Sequence, residues 1–137
     1  MIKANLTLRY TLYSYQEDID IFNVSEKLPS RNREGVYALG TEKGKRRKFI
    51  TKQHTIDYVY QYQDISSINE VCQDFYHLWS PYKKIVKELH INGEIKSFLL
   101  FEFVIKDFDF PELCYENSFL FFLAEMGIEL QFYFYTS

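Results

Sequence analysis

The sequence has little cysteine and no long apolar run. Its 137 residues include two cysteines, Cys72 and Cys114, which are too few for a disulfide framework and do not form a C-x-x-C pair. The longest apolar run, Phe98 to Ile105, is interrupted by Glu102 and has the length of a strand, so we expect no membrane-spanning segment. The N-terminal residues lack the apolar block of a signal peptide, which predicts a cytoplasmic protein.

The motifs of common catalytic sites are also missing. No glycine-rich stretch matches the phosphate-binding loop or the dinucleotide fingerprint, and no G-x-S-x-G elbow occurs. Acids cluster in residues 16–20 and 106–113, where we interpret them as caps and turn residues, because exposed loops do not supply the burial that tunes a catalytic carboxyl group. The three histidines, His54, His77 and His90, are not spaced like metal ligands. We therefore expect no enzyme activity, no metal and no cofactor.

Aromatic residues, in contrast, are abundant. The chain has 13 Phe and 12 Tyr, and rings of this kind bury large areas, which favours a folded core over disorder. Its length lies in the range of about 100 to 150 residues that is usual for one domain. We therefore predict a single domain over residues 1–137.

The charge is distributed unevenly along the chain. Between Arg31 and Lys52 there are eight cations and two acids, a net charge of +6, whereas the remaining residues carry −9. Such a segment attracts a partner of opposite charge even though the whole chain carries −3. The densest part reads KGKRRKF and covers residues 43–49.

Three interpretations of this basic segment stay open. It is a solvated turn between strands, since Gly40 and Gly44 flank it and lysines often protect sheet edges. Alternatively, it binds an acidic protein surface, or the basic loop 43–52 binds nucleic acid. Nucleic acid is the less favoured partner because a long phosphate backbone would also meet the acids around the patch. The acidic surface formed by the rest of this chain, which carries −9, is a rival contact face if the partner is a basic nuclease.

The apolar spacing predicts an alternation of strands and helices. Alternating residues predict a strand over Leu6 to Tyr13, and a short helix follows that Asp18 or Asp20 caps. Strands are predicted over Gly35 to Leu39 and Phe49 to Tyr62. Ser67 and Glu70 form a capping box before the clearest helix, which breaks at Pro81 and restarts. The last strands cover residues 94–106 and 128–135, and between them lies a helix from Asn117 to Gly127.

This order of elements predicts an α+β fold. We expect a mostly antiparallel sheet with two or three helices packed on it, and two similar strand-helix-strand halves of the ferredoxin-like kind. The strand over residues 94–106 is apolar on both of its faces, which predicts a central strand covered on both sides.

Tyrosines alternate along the strand that follows the basic segment. Tyrosine is common at protein interfaces because its ring buries a large area while its hydroxyl keeps a polar partner. We therefore include three of these tyrosines in a predicted partner-binding set. The set consists of Lys43, Lys45, Arg46, Arg47, Lys48, Tyr58, Tyr60 and Tyr62.

The C-terminal stretch SFLFFLAEMGIELQFYFYT resembles the end of a known protein family. It reads as a helix with Leu123 near its end, then Gly127, then an alternating strand that finishes in Tyr135. In this ending and in the order of its elements, the chain resembles the bacterial domain-of-unknown-function 4279 family, although Phe49 stands where that family often has a tryptophan. The resemblance implies a small cytosolic bacterial protein, and proteins of this build often act as immunity partners of toxins. It implies no catalytic residue.

The sequence thus predicts a binding protein without catalysis. The leading hypothesis is an immunity protein that masks the surface of a cognate toxin. The alternative is a nucleic-acid-associated regulator that uses the basic loop 43–52, and a third hypothesis, an enzyme, would require an enclosed cavity lined by polar groups.

Overall fold

The computed structural model describes residues 4–105 and 113–136, which form an α+β fold around one mixed sheet. Five strands lie in the order β2-β5-β1-β6-β7, and β3 pairs with β4 in a separate two-stranded sheet. The strands are β1 (Ala4–Ser14), β2 (Arg33–Tyr37), β3 (Glu42–Lys43), β4 (Phe49–Ile50), β5 (His54–Ile65), β6 (Lys96–Ile105) and β7 (Ile128–Thr136). The helices are α1 (Ile21–Glu26), α2 (Asn69–Trp79), α3 (Lys83–Ile91) and α4 (Asn117–Met126).

The sheet is mostly antiparallel, as predicted. Strand β1 lies at its centre and pairs antiparallel with both β5 and β6, while β2 pairs antiparallel with β5. Strands β6 and β7 are parallel, since α4 connects them as a crossover. The fold class predicted from the sequence is therefore confirmed.

The two predicted strand-helix-strand halves are present, but they are not equivalent. Strand β1, α1 and β2 form the first unit, whose strands point the same way because both are antiparallel to β5. Strand β5 lies between them, so this unit is split. In the second unit, β6, α4 and β7, the two parallel strands are direct neighbours. The faint repeat in the sequence thus corresponds to two related units built around different strand neighbours.

The helices pack on one face of the sheet, where the large apolar side chains are buried. Tyr10 of β1 and Tyr58 of β5 both meet the ring of Trp79 edge-on, with ring centroids 4.7 and 4.8 Å away. The indole Nε1 of Trp79 donates a hydrogen bond to the Tyr60 hydroxyl at 3.0 Å. Phe75 completes this aromatic cluster, in which each ring is at most 7% exposed.

The opposite face of the sheet corrects one prediction. We expected β6 to be covered on both sides, but its side chains Phe98, Leu100 and Glu102 remain partly exposed and Val104 is 38% exposed. The aliphatic residues on this face therefore do not mark a second helical layer in the described part of the chain. We call this surface the open face.

Local signals for helix ends were partly correct. Asp20 caps α1, because its side chain accepts a hydrogen bond from the Asn23 amide at 3.2 Å, and Gly127 ends α4 with a φ of 71°. Ser67 accepts a hydrogen bond from the Asn69 amide at 3.2 Å, although Ile68 directly precedes α2. Asn117 is not a cap, because it is already the first residue of α4. Pro81 lies in a 3-10 turn, Ser80–Tyr82, that separates α2 from α3 as predicted.

The aromatic cluster leads to a stability prediction. Tyr60→Phe removes the acceptor of the Trp79 indole N–H and leaves this donor buried and unpaired, so the free energy of unfolding should fall by about 1–3 kcal/mol. Urea denaturation followed by tryptophan fluorescence measures the change. The matched control is Tyr62→Phe, which removes a hydroxyl bonded at an exposed position and should cost less than about 1 kcal/mol. Equal losses in the two variants would contradict the assignment of Tyr60 to the buried cluster.

Candidate binding surface

The basic segment folds into a short hairpin made of β3 and β4. Gly44 begins its turn with a φ of +105°, and a side chain at this position would collide with the carbonyl oxygen of Arg47. At its base, the Gly40 amide donates to the carbonyl of Thr51 at 2.8 Å and the Thr51 amide donates to the carbonyl of Thr41 at 2.9 Å. The hairpin is therefore held by backbone hydrogen bonds, and its cationic tip extends from this base.

The five predicted cations of the hairpin have different environments. Lys43 places its Nζ 3.7 Å from the centroid of the Tyr37 ring, and Lys48 forms an exposed ion pair with Glu42 at 3.4 Å. Lys45, Arg46 and Arg47 are exposed and have no ion-pair partner within the residues that the structure describes. These three side chains are therefore the ones most available to an acidic partner.

Two apolar residues that the sequence analysis did not select lie beside these cations. Phe49 and Ile50 of β4 are 55% and 64% exposed. Exposed apolar side chains next to unpaired cations are typical of a contact surface, where aromatic anchors and arginines are enriched. We define the hairpin surface as Lys45, Arg46, Arg47, Phe49 and Ile50. The signal in the sequence was the apolar pair that directly follows the run of cations.

A groove separates the hairpin from the open face of the sheet. Its volume is about 510 Å³, and Phe49 and Ile50 form one wall while Thr11, Asp57 and Phe98 belong to the sheet. The Thr11 hydroxyl donates to the Asp57 carboxylate at 2.8 Å, which fixes the polar part of the floor. An extended segment or a projecting side chain of a partner has room in this groove.

The tyrosines predicted to bind a partner lie elsewhere, which is a correction. Tyr58 and Tyr60 are 0% and 7% exposed, because they belong to the aromatic cluster under the helices. Burial raises the pKa of Tyr58 to about 12, as expected for a phenol removed from water. These two residues stabilise the core and are not available to a partner.

Tyr62 is partly exposed but does not join the hairpin surface. Its hydroxyl lies 3.2 Å from the Asp74 carboxylate of α2. The pKa of Tyr62 is raised, mainly by burial and secondly by the negative charge of Asp74. It points to the helix-covered face of β5, and it lies eight residues, roughly 26 Å along a strand, from the hairpin end of β5. The structure thus separates the predicted cations from all three predicted tyrosines.

The rival acidic surface is only partly described. Glu17, Asp18 and Asp20 are exposed in the loop between β1 and α1, where Asp20 caps the helix. The second acidic cluster, in residues 106–113, falls outside the described residues except for Leu113.

A second groove lies between α2 and α4 and has a volume of about 660 Å³. Tyr76 and Phe121 line its apolar part, and Lys83 forms an ion pair with Glu125 across it at 2.8 Å. Cys72 also lines this groove, and burial raises the pKa of its thiol to about 12. At neutral pH the thiol is therefore protonated and a poor nucleophile.

Two further observations concern residues 4–105 and 113–136. No three side chains of His, Cys, Asp or Glu in these ranges lie close enough together to hold a metal ion. None of the helices there is long and apolar enough to cross a membrane.

Comparison with known proteins gives no match to this chain, whether with family models, with curated proteins or with solved structures. The resemblance to the domain-of-unknown-function 4279 family therefore stays a prediction.

The contrast between the two cysteines predicts selective labelling. Cys114 is exposed, whereas Cys72 is 4% exposed and its thiol has a raised pKa. A thiol reagent such as iodoacetamide at pH 8 should modify Cys114 at least about tenfold faster than Cys72, because the reactive species is the thiolate. Peptide mass spectrometry of timed samples measures both rates, and a sample in urea provides the unfolded reference. Similar rates in the folded protein would contradict the burial of Cys72.

Proposed function

We propose that this protein is a non-catalytic binding domain whose hairpin surface holds an acidic surface of another protein. The observation that supports this most directly is the position of Arg46 and Arg47, which are exposed and have no ion-pair partner among the described residues, on the same hairpin as the exposed Phe49 and Ile50. Cations accelerate the encounter with an acidic partner, and apolar anchors that become buried slow its dissociation. The hairpin surface combines both kinds of contact on one short element.

The groove beside the hairpin gives this surface shape as well as charge. A partner that covers the hairpin also reaches the groove, where Phe98 supplies apolar contact and Asp57 a polar acceptor. The backbone hydrogen bonds at the base of the hairpin hold it in place, so that the partner meets a preformed site. Binding to a preformed surface avoids much of the entropy cost of ordering a loop.

The specific role that we propose is that of an immunity protein, which neutralises a toxin by covering its surface. This role needs a stable framework and a complementary contact face, and it needs no chemical step. An acidic patch on the toxin is the complement that the charge of the hairpin surface suggests.

One observation also favours the alternative role in binding nucleic acid. Phe49 is an exposed ring next to several cations, and stacking rings beside cations are the elements with which proteins hold single-stranded nucleic acid. The surrounding charge favours a protein partner instead, because the chain outside residues 31–52 carries −9 and repels further phosphates.

Binding kinetics test the proposal. The probe is the purified product of the gene adjacent to the one that encodes this chain, immobilised for surface plasmon resonance at two salt concentrations. For Arg46→Ala/Arg47→Ala we expect an association rate about tenfold lower at low salt, since both cations attract the acidic partner before the two surfaces touch. For Phe49→Ala/Ile50→Ala we expect dissociation to be faster by at least about tenfold, since these apolar side chains stabilise the complex once they are buried in it.

The matched control is Lys84→Ala/Lys87→Ala on α3, which removes the same charge from exposed positions away from the hairpin and should leave both rates nearly unchanged. Rescue of growth by co-expression of this protein with the toxic neighbour would support the immunity role. An equal effect of the control and the hairpin variants would contradict the hairpin surface as the contact. Salt-dependent binding to an unrelated single-stranded DNA, lost in Arg46→Ala/Arg47→Ala, would favour the nucleic-acid role instead.

A further inference from the structure

The groove between α2 and α4 runs between two helices that point in the same direction. The negative charge of Glu116, which directly precedes α4, acts on the thiol of Cys72 near the start of α2. Further along both helices, the rings of Tyr76 and Phe122 lie with their centroids 4.9 Å apart. The groove therefore has one end at Glu116 and its other end where both helices finish.

The two ends of this groove differ in charge. At the far end, the Lys83 ammonium lies 2.8 Å from the Glu125 carboxylate, so these two charges compensate each other. At the near end, Glu116 has no ion-pair partner within residues 4–105 and 113–136, and its side chain caps no amide of α4. The near end of the groove thus carries a negative charge that no cation of the described chain compensates.

Between the two ends, the walls of the groove are mainly aromatic. Tyr76 of α2 and Phe121 of α4 both line it, and they are 45% and 67% exposed. A ligand in the groove would cover part of these rings, and the removal of apolar surface from water stabilises a complex. The faces of aromatic rings also attract organic cations. The walls therefore suit an apolar ligand that carries a positive charge.

The size of the groove matches a small molecule. Its volume of about 660 Å³ lies within the range of roughly 300 to 1,000 Å³ that is usual for such sites. Glu116 and Glu125 are nine residues apart on α4, which corresponds to roughly 14 Å along the helix. A ligand of about this length reaches from the uncompensated carboxylate along the aromatic walls.

We propose that the groove between α2 and α4 binds a small organic amine, with its ammonium group at Glu116 and its apolar body against Tyr76 and Phe121. The ammonium group supplies the positive charge that Glu116 lacks. A neutral ligand would remove water from this carboxylate without pairing it, which is costly. An anionic ligand would in addition have to compete with Glu125 for Lys83.

This site is separate from the hairpin surface. The groove between α2 and α4 lies among the helices, whereas the groove beside the hairpin has its floor on the open face of the sheet, and the two share no lining residue. An amine in the helix groove therefore leaves the hairpin surface accessible. The inference goes beyond the function proposed above and does not rest on it.

Titration calorimetry with three ligands of similar shape tests the role of charge. The ligands are 4-phenylbutylamine, 4-phenylbutan-1-ol and 4-phenylbutyrate. We expect the amine to bind at least about tenfold more tightly than the alcohol, and the carboxylate to bind most weakly. Glu116→Gln should lower the affinity for the amine to that for the alcohol. The matched control Glu17→Gln removes the same charge from an exposed loop and should leave all three affinities unchanged; circular dichroism checks that both variants fold.

The position of the ligand is tested separately. Phe121→Ala removes apolar contact without changing charge, so it should weaken binding of the amine and the alcohol by the same factor. In ¹H–¹⁵N NMR spectra, the amine should shift amide signals of α2 and α4 and leave those of the hairpin in place. The proposal is overturned if the amine shows no saturable binding at millimolar concentration, if Glu116→Gln keeps the preference for the amine, or if the shifted signals lie outside α2 and α4. None of these results depends on the partner that the hairpin surface binds.

Discussion

The buried contact between Trp79 and the tyrosines of the sheet is the constraint on which the structure depends. Helix α2 is held on the sheet by a cluster of rings in which Tyr10 and Tyr58 pack edge-on against the Trp79 indole. The Tyr60 hydroxyl accepts a hydrogen bond from the indole N–H. A buried indole donor without an acceptor is costly, so this contact fixes both the height and the rotation of the helix. The rings of this cluster are therefore committed to the interior.

That commitment explains how the surface is divided. With the helix layer on one face, the hairpin and the open face carry exposed side chains on the other side of the sheet. The hairpin is attached through backbone hydrogen bonds at its base, whereas its tip contributes no residue to the buried core. Residues at the tip can therefore change without disturbing the cluster around Trp79. This separation of framework from contact surface is typical of binding domains, where loops carry recognition and a rigid core positions them.

Much of the fold was predictable because it rests on local patterns. The alternation in β1, the break at Pro81 and the left-handed Gly127 each follow from one residue type at one spacing, and the structure confirms them. The covering of β6 and the role of the tyrosines were not predictable in this way. Leu100 and Tyr58 look alike in a hydrophobic pattern, yet one lies on the open face and the other in the core, because the face that the helices cover is decided by tertiary packing. The exposure of Phe49 and Ile50 could not be predicted for the same reason, since it is decided by the assembled structure.

The central position of β1 also determines when the molecule can fold. Its neighbours β5 and β6 begin at His54 and Lys96, so both partners of β1 lie far along the chain from it. Contacts this distant in sequence slow folding, because a long loop must close before any pairing is gained. A chain that has been synthesised only as far as β5 therefore leaves one edge of β1 unpaired, and β6 is needed to cover that edge.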